Sequence, residues 1–234
     1  MVSDVFFDFF GTLVDYDPSV HPAYNAPLAF AQRAGCAISA AESDARWQQA
    51  WDRHEADAVS TGREYSMDEV ALRYWRAIGS PPLAADAVET LVREYLEVWT
   101  QSVSPAPHAL ECVTDLAADH RLTIVTNTHD PGLVPRLARR FGLDSAVDHV
   151  VASVVVGWRK PHPAIFEAAL RDRGAAAGDV VFVGDSWEAD VEGPRRIGMH
   201  AIYVGRPSAL HHPSASLRDL PQFIRSDLSG NVRR

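Results

Sequence analysis

The stretch that decides the fold is Val5-Phe6-Phe7-Asp8-Phe9-Phe10-Gly11-Thr12-Leu13. An apolar run of this length that ends at a glycine is typical of a buried β-strand. The run contains one carboxylate, Asp8, and a buried carboxylate needs a partner because it otherwise costs several kcal/mol or takes up a proton. Gly11 lets the chain turn, and the Thr12 hydroxyl can bond the exposed backbone there. The stretch therefore predicts a strand that delivers Asp8 to the mouth of a sheet, where open α/β sheets bind ligands.

Composition favours a protein that acts on small molecules. The chain has 234 residues, with 22 Lys or Arg against 31 Asp or Glu, so its formal net charge is −9. Nucleic acids and anionic membranes bind basic surfaces, and neither is expected as a partner. No apolar segment reaches the ~20 residues that a membrane span needs, and the first residues lack the basic flank of a signal peptide. The cytoplasm is the expected location, and nothing in the sequence sets an oligomeric state.

Residues 16–102 are predicted to be an all-helical insertion. A cluster of chain breakers, Asp15, Asp17 and Pro18, follows the first strand, and a second breaker-rich segment covers residues 102–107. Between them, apolar residues at helical spacing predict helices over 26–34, 41–59, 67–78 and 84–99. Ser66 and Glu69 have the spacing of a capping box at the start of the third helix. Two domains are therefore expected, one of residues 1–15 and 103–234 and one of residues 16–102.

The second half of the chain alternates strands with helices. Strands are predicted at 122–125, within 147–155, at 180–183 and at 201–204, and helices at 108–118, 133–141, 163–171 and 188–197. This alternation, with the first strand included, predicts an α/β fold with a parallel sheet and helices on both faces. The stretch after Gly205 is expected to be a loop, with a frayed end from Ser226 onward.

Polar side chains stand where several of these strands end. Thr126 and Asn127 follow one strand, Asp185 follows another, and Lys160 comes directly before a proline at a strand–helix junction. Because parallel strands end at one edge of a sheet, these side chains could converge with Asp8. Lys160 is also the only lysine in the chain. The alternative is that Thr126 and Asn127 cap a helix and that Asp185 only ends a strand.

Convergence of these residues would favour phosphate chemistry. Two facing carboxylates, Asp8 and Asp185, suit a hard cation such as Mg²⁺, which leaves room for substrate oxygens. Lys160 and the Thr126 hydroxyl would bind the remaining anionic oxygens. Asp8 could then act as a nucleophile that forms an aspartyl-phosphate, which water hydrolyses.

Four ordered segments resemble the motifs of the haloacid dehalogenase superfamily. They are Asp8-x-x-Gly11-Thr12, Thr126-Asn127, Lys160-Pro161 with Ile165-Phe166, and Gly184-Asp185-Ser186-x-x-x-Asp190. The resemblance implies a Rossmann-like core of residues 1–15 and 103–234 and a helical cap domain of residues 16–102. It also implies a small phosphorylated molecule as the substrate.

The resemblance also implies roles for individual residues. Asp8 would be the nucleophile, and Thr126 and Lys160 would bind the phosphoryl group. Mg²⁺ would be held by Asp8, Asp185 and the Phe10 backbone carbonyl. Other implied roles are support of the metal site by Asp190 and substrate binding by Gly11, Thr12, Asn127 and Arg53.

The sequence departs from this pattern at Phe10. Phosphatases of the superfamily usually carry a second Asp at that position, which serves as a general acid and base, and a phenyl ring moves no protons. One explanation is a metal-independent 2-haloacid dehalogenase, whose relatives carry an aromatic residue there and attack carbon. Trp51, Arg53 and the later Val70-Ala71-Leu72-Arg73-Tyr74 resemble the cap helices of those enzymes, where an Arg binds the halide or carboxylate. Asp185, however, is typical of the metal-binding form. The phosphonatase branch, which uses a cap lysine, is excluded because the segment 16–102 contains no lysine.

The preferred explanation is a Mg²⁺-dependent phosphatase that is slow or limited to good leaving groups. Water or another side chain would then handle the protons, with His129 and His54 as candidates. Mutation of Asp185 to Asn would abolish turnover in such an enzyme and would hardly affect a metal-free dehalogenase. A non-catalytic binding protein with the same fold is a further alternative, because a fold alone does not prove activity.

Overall fold

A computed structural model of the chain describes residues 2–17, 19, 25–79, 82–206 and 215–227. The chain divides into two compact units. We call Met1–Tyr16 with Ser104–Arg234 the core unit, and Asp17–Val103 the helical unit. The role of the helical unit as a cap stays a prediction.

The core unit is built on a parallel sheet. In chain order the strands are β1 (Asp4–Phe7), β2 (Val14–Tyr16), β3 (Val103–Pro105), β4 (Arg121–Thr126), β5 (His149–Ala152), β6 (Val180–Gly184) and β7 (His200–Tyr203). Five of them form one sheet in the order β5-β4-β1-β6-β7, and every neighbouring pair is parallel. The predicted α/β fold with a parallel sheet is therefore confirmed.

Helices connect the strands of the core unit. The helical unit contains α1 (Asn25–Arg33), α2 (Ala40–Thr61), α3 (Met67–Ala77) and α4 (Ala85–Trp99). The helices of the core unit are α5 (Ala109–Leu116), α6 (Leu133–Arg140), α7 (Ser153–Val156), α8 (Pro163–Arg173), α9 (Gly193–Arg196) and α10 (Leu220–Asp227). The chain moves outward from β1 through β4 to β5, then returns past β1 to β6 and β7. Because strand crossovers are right-handed, this reversal puts connecting helices on both faces of the sheet.

The core of one face lies between the sheet and α8. Phe6 and Phe182 from neighbouring strands are fully buried with Ile165 and Phe166 of the helix. The rings of Phe166 and Phe182 meet edge to face, with centroids 5.5 Å apart. Each such side chain contributes about 1.5–3 kcal/mol by burial. This packing holds β1 and β6 in place, and both strands lead into the site.

The strand register brings the candidate residues to one edge. Phe7 of β1 pairs with Ile124 of β4 and with Val183 of β6. Asp8 therefore lies beside Val125 of β4 and Gly184 of β6. Thr126 and Asp185 each lie one residue further along their strands. The carboxyl ends of these strands form the edge at which α/β sheets bind ligands.

The helical unit consists of α1 to α4. At the start of α3 the predicted capping box is present, with Glu69 N donating to Ser66 Oγ at 3.3 Å and Ser66 N donating to Glu69 Oε2 at 2.8 Å. The interior of this unit is aromatic, with Trp47 against both Tyr74 and Tyr95. Ser43 Oγ and Tyr74 Oη are 2.8 Å apart, so the buried hydroxyl of Tyr74 has a polar partner.

Three local predictions need correction. The two predicted linkers contain short strands, because β2 and β3 pair with each other in a separate two-stranded sheet. The predicted loop after Gly205 is partly helical, because α10 buries Leu220 and Ile224 and includes Ser226. Residues 207–214 and 228–234 lie outside the described residues. In the part of the chain that the structure describes, no helix has the length and apolarity needed to cross a bilayer.

Candidate active site

Asp8 lies just beyond β1, and its carboxylate is bonded to the only lysine of the chain. Lys160 Nζ donates to Asp8 Oδ1 at 2.6 Å and to Asp190 Oδ1 at 2.7 Å. The Lys160 side chain is 2% exposed, and its ammonium lies 5.1 Å from the centroid of the Phe182 ring. A buried ammonium needs partners of this kind because desolvation of an unpaired charge is costly. The pairing fixes Nζ between two carboxylates.

Asp190 is held on both of its carboxylate oxygens. While Oδ1 accepts from Lys160, Oδ2 accepts from the Ser186 amide at 3.0 Å. Asp190 belongs to a π-helical segment, Trp187–Glu192, which follows β6 directly. At Gly184, the last residue of β6, a side chain would clash with Asp190. The glycine therefore allows Asp190 to approach the end of the strand.

The turn after Asp8 brings a second carboxylate beside it. Thr12 Oγ1 lies 3.4 Å from Asp8 Oδ2 and 3.3 Å from Asp185 Oδ1, and can bond either oxygen. Gly11 has φ +87°, and a Cβ at this position would clash with the Asp185 carboxylate. Gly11 is thus required both for the turn and for the approach of Asp185.

The segment around Lys160 is anchored to the end of β4 by Asn127. The Asn127 side chain donates from Nδ2 to the Lys160 carbonyl at 3.1 Å and accepts from the Lys160 amide at 2.7 Å. These two bonds fix the backbone from which the lysine extends. The neighbouring Thr126 is 1% exposed as a whole residue, yet it borders the cleft described next.

The polar groups surround an open cleft of about 320 Å³ in the core unit. Its lining residues are Asp8, Phe10, Thr126, Asn127, Lys160, Asp185, Ser186, Ala189 and Asp190. A volume of this order suits a small ligand or part of a larger one. Phe10 is the one aromatic side chain in this set, and its ring meets Phe9 edge to face at 5.0 Å.

Burial and crowding perturb the acids of the cleft. Burial, followed by the charge of Asp8, raises the pKa of Asp185 above 3.8. Burial also raises the pKa of Asp190 to about 6, against the opposing effect of the Lys160 charge. Burial alone would lower the pKa of Lys160, but the carboxylates of Asp190 and Asp8 outweigh it and raise that pKa. The site is therefore short of positive charge next to Asp8 and Asp185, which a cation would supply.

The carboxylates have the arrangement that a divalent metal needs. One oxygen from each of Asp8, Asp185 and Asp190 lies within 4.8 Å of the other two. Mg²⁺ commonly takes one or two carboxylates and fills its other positions with water or phosphate oxygens. Both oxygens of Asp190 accept close hydrogen bonds, from Lys160 at 2.7 Å and from the Ser186 amide at 3.0 Å. Asp8 Oδ2 and Asp185 Oδ1 share only the long contacts of the Thr12 hydroxyl, so Asp8 and Asp185 are the better candidates for direct ligands. The residues fit a hard cation of this kind.

The structure brings most of the predicted site residues together. Those at the cleft or bonded to its carboxylates are Asp8, Phe10, Gly11, Thr12, Thr126, Asn127, Lys160, Asp185 and Asp190. Arg53 lies in the helical unit, on α2, with a 64% exposed side chain 3.5 Å from Asp57. Its proposed contact with substrate stays a prediction.

Sequence reasoning missed two features of the site. Ser186 lines the cleft and donates its amide to Asp190, and Ala189 completes the wall. The direct bond between Asp190 and Lys160 was also not predicted. A serine directly after a strand-terminal Asp was the available signal, because such a residue often caps the following helix.

The chain resembles a known protein family over most of its length. A family model described as haloacid dehalogenase-like hydrolase matches residues 5–198. The chain is 42% identical to haloacid dehalogenase-like hydrolase domain-containing protein 3 of Homo sapiens over 153 aligned residues. The aligned region is 64% of this chain and 59% of the human protein. The chain therefore spans less than two thirds of the human relative. It is 31% identical over 207 residues to a ribulose-1,5-bisphosphate 5-phosphatase of Halopiger xanaduensis, which covers 86% of this chain and 84% of that protein.

Solved structures with the same fold include enzymes of two kinds. A HAD phosphatase from Thermococcus onnurineus has a TM-score of 0.64 and 22% identity, over 95% of this chain and 98% of its own. A 2-haloacid dehalogenase from Pseudomonas syringae pv. Tomato has a TM-score of 0.67 and 23% identity, over 96% and 99%. These identities establish a shared fold and no more. The family match covers both Asp8 and Asp190, so the predicted membership is confirmed: the chain belongs to the haloacid dehalogenase-like hydrolase family.

Proposed function

We propose that this hydrolase is a Mg²⁺-dependent phosphatase that acts on a small phosphorylated molecule. The observation that carries the proposal is the set of two carboxylates and one lysine around Asp8. Asp185 adjoins Asp8, and Lys160 bonds both Asp8 and Asp190. A metal-free attack on carbon gives no physical reason for a second carboxylate beside the nucleophile, because like charges at this distance repel. The name of the Halopiger relative, a bisphosphate phosphatase, adds support.

Asp8 is the proposed nucleophile, and the residues around it orient it. The Asp8 oxygen bonded to Lys160 is fixed in position, which leaves Oδ2, near the Thr12 hydroxyl, as the candidate attacking atom. Attack by this oxygen on phosphorus would form an acyl phosphate on Asp8 and break the bond to the leaving group, which would depart as an alkoxide or phenolate and take its proton from water. Water would then attack the phosphorus, release inorganic phosphate and restore the carboxylate.

Lys160 and Thr126 are the proposed ligands of the phosphoryl oxygens. The lysine supplies a positive charge that Asp190 holds in place, and the Thr126 hydroxyl borders the same cleft. Asn127 fixes the Lys160 backbone. Fixed charges of this kind stabilise the developing negative charge without reorganisation, which is the main protein contribution to phosphoryl transfer.

Mg²⁺ is the proposed cofactor, with Asp8 and Asp185 as its carboxylate ligands and the Phe10 carbonyl as a predicted third. When bound, it would neutralise the oxygens of the transferring group. Gly11 and Thr12 would act by holding Asp185 at its place beside Asp8. Burial and the charge of Asp8 raise the pKa of Asp185 because they disfavour its ionised form. A bound cation would favour the ionised form and lower this pKa.

Phe10 limits the proposed reaction. Among the residues that line the cleft, Asp8, Asp185 and Asp190 have the roles above, and the other side chains are a phenyl ring, hydroxyls, an amide, a methyl group and the lysine. None of the remaining groups is an ordinary general acid at neutral pH. The proposed enzyme therefore favours leaving groups that depart readily as anions, such as phenols and carboxylic acids, over alkyl alcohols.

A two-substrate assay tests the proposal. Phosphate release from p-nitrophenyl phosphate and halide release from 2-chloropropionate are measured with Mg²⁺ and with EDTA. The proposal expects phosphate release that EDTA stops and no halide release. Halide release that is indifferent to EDTA would select a 2-haloacid dehalogenase, and neither product would favour a non-catalytic binding protein.

Two variants complete this assay. Asp185→Asn keeps the size of the side chain but removes the charge that holds the metal, so phosphate release should fall at least a hundredfold. The matched control is Asp179→Asn, which changes an Asp next to the start of β6, at the opposite end of that strand. Normal turnover by the Asp185→Asn variant would contradict the proposed metal site.

A further inference from the structure

A fully buried serine ties two loops of the core unit together. Ser153 begins α7, directly after β5, and none of its surface is exposed. Its Oγ accepts from the Thr128 amide at 2.9 Å and donates to the Thr128 carbonyl at 3.2 Å. One hydroxyl can accept and donate at once, so it satisfies both backbone groups of this residue. Buried backbone groups need such partners, because an unpaired one costs about as much as a lost hydrogen bond. The loop after β4 is therefore fixed to the start of α7.

The same loop is bonded to the lysine of the cleft through the residue before Thr128. Asn127 Nδ2 donates to the Lys160 carbonyl at 3.1 Å, and Asn127 Oδ1 accepts from the Lys160 amide at 2.7 Å. The chain between Ser153 and Lys160 is thus held at both ends by two consecutive residues. Thr128 holds its first residue, and Asn127 holds its last. The position of the Lys160 backbone therefore depends on the loop that Ser153 supports.

Lys160 needs this support because its ammonium is fixed at the far end of the side chain. Nζ donates to Asp8 Oδ1 at 2.6 Å and to Asp190 Oδ1 at 2.7 Å, and the side chain is 2% exposed. Close packing around a buried side chain leaves it little room to adjust. A shift of the Lys160 backbone therefore lengthens at least one of the two bonds. In an active site, a misplacement of about 1 Å can lower the rate about a hundredfold.

We propose that Ser153 is a positioning residue for Lys160 and that it acts through the backbone of Thr128 and the side chain of Asn127. Ser153 is buried behind the cleft and does not line it. Its role is to hold the loop that carries Asn127, and contacts of this supporting kind decide whether a binding group keeps its geometry. The proposal concerns the position of the lysine, so it goes beyond the identity of the molecule that the cleft binds.

The single lysine of the chain allows a test that needs no turnover. Lysine labelled with ¹³C at Cε gives one signal, because Lys160 is the only lysine. The NMR order parameter of this carbon is measured in the full chain, in EDTA, for wild type and Ser153→Ala. We expect about 0.85 for wild type, the value of a rigid group, and less than about 0.6 for the variant, the range of a flexible one.

A conservative variant and a control accompany this measurement. Ser153→Cys keeps the volume and a weak donor, so it should lower the order parameter less, and it replaces Ser153→Ala if that variant does not fold. The control is Asp4→Asn, because Asp4 bonds Arg121 at the opposite end of β1 in the same unit. This control should leave the order parameter of Lys160 unchanged.

The route through Asn127 is tested by a double-mutant cycle. Residues in one hydrogen-bond network have effects that do not add. Once Asn127→Ala has broken the bonds to the Lys160 backbone, addition of Ser153→Ala should change the order parameter by less than half of what it does in wild type. Additive effects would show that Ser153 does not act on Lys160 through Asn127.

A second arm measures turnover and rests on the proposed function. With p-nitrophenyl phosphate and Mg²⁺, Ser153→Ala should lower kcat/KM at least about tenfold, and Asp4→Asn should stay within about twofold. An unchanged order parameter in Ser153→Ala, or an equal fall in Asp4→Asn, overturns the proposal. A wild type that hydrolyses no phosphate ester would refute the proposed function alone, and the order parameter of Lys160 would then decide the role of Ser153.

Discussion

Replacement of Lys160 by methionine tests whether the lysine charge stabilises the buried carboxylates of Asp8 and Asp190. The variant keeps an unbranched side chain of similar length but loses the ammonium that bonds Asp8 at 2.6 Å and Asp190 at 2.7 Å. The three side chains are 2%, 9% and 1% exposed, so the two carboxylates are left almost without solvent. Removal of one partner from a buried ion pair costs about 3–5 kcal/mol. We expect a loss of this size in the free energy of unfolding at pH 7, measured in EDTA.

The loss should depend on pH in a stated direction. The pKa of Asp190 in the folded chain is raised to about 6 by burial, against 3.8 as its ordinary value. A folded state with the higher pKa binds protons more tightly, so this group favours folding more at pH 4 than at pH 7. In the variant the Lys160 charge no longer opposes the rise, and the pKa of Asp190 increases further. Lys160→Met should therefore recover part of its lost stability at pH 5.

Urea unfolding at pH 7 and pH 5 measures both effects. The control is Arg225→Met, because Arg225 pairs with Asp115 and Asp119 at the surface, where an ion pair is worth about 0–1 kcal/mol. A loss below about 1 kcal/mol for Lys160→Met at pH 7 would show that the lysine is not the charge partner of these carboxylates. If the loss of stability in Lys160→Met is larger at pH 5 than at pH 7, Asp190 is not the carboxyl group whose raised pKa sets the pH dependence.

Three further substitutions test other parts of the site and the fold. Gly11→Ala places a side chain in the left-handed region of backbone space and against the Asp185 carboxylate. Calorimetry should show at least tenfold weaker Mg²⁺ binding, and urea unfolding should show a loss of ~1–3 kcal/mol in the free energy of unfolding. Unchanged Mg²⁺ affinity would contradict this. Asp4→Asn removes the charge of a buried carboxylate that bonds the half-exposed Arg121 at 2.7 Å, at the opposite end of β1. It should cost ~1–3 kcal/mol by urea unfolding while kcat stays within twofold, and a large fall in kcat would contradict this. Phe10→Asp supplies an acid in the cleft and should raise kcat/KM for alkyl phosphates relative to aryl phosphates at least tenfold, a smaller factor than the ~10²–10⁴ typical of evolved general acids. An unchanged ratio would show that protons are handled elsewhere.

The sheet and its polar edge could be predicted because buried strands are short apolar runs that end at polar residues. Thr126 and Asp185 each follow such a run, and parallel strands bring their ends to one edge. The strand order could not be predicted in the same way. The residues of β1 do not indicate that its neighbours are β4 and β6, because any apolar strand of similar length could pair with it.

The contacts of Asp190 show where local patterns fail. The pattern over 188–197 predicted a helix, and the structure has a π-helical segment before α9, in which Asp190 bonds Lys160 and the Ser186 amide. Lys160 lies 30 residues before Asp190 in the chain. Their contact depends on tertiary packing, which no local pattern encodes.

Mass spectrometry of the peptide that contains Asp8 tests the proposed chemistry most directly. The enzyme is quenched with acid while it turns over p-nitrophenyl phosphate with Mg²⁺, and the peptide is then searched for an added phosphoryl group. The proposed mechanism predicts this group on Asp8 of the wild type and neither the group nor turnover in Asp8→Asn. Undiminished phosphate release by Asp8→Asn would contradict the role of Asp8 as the nucleophile.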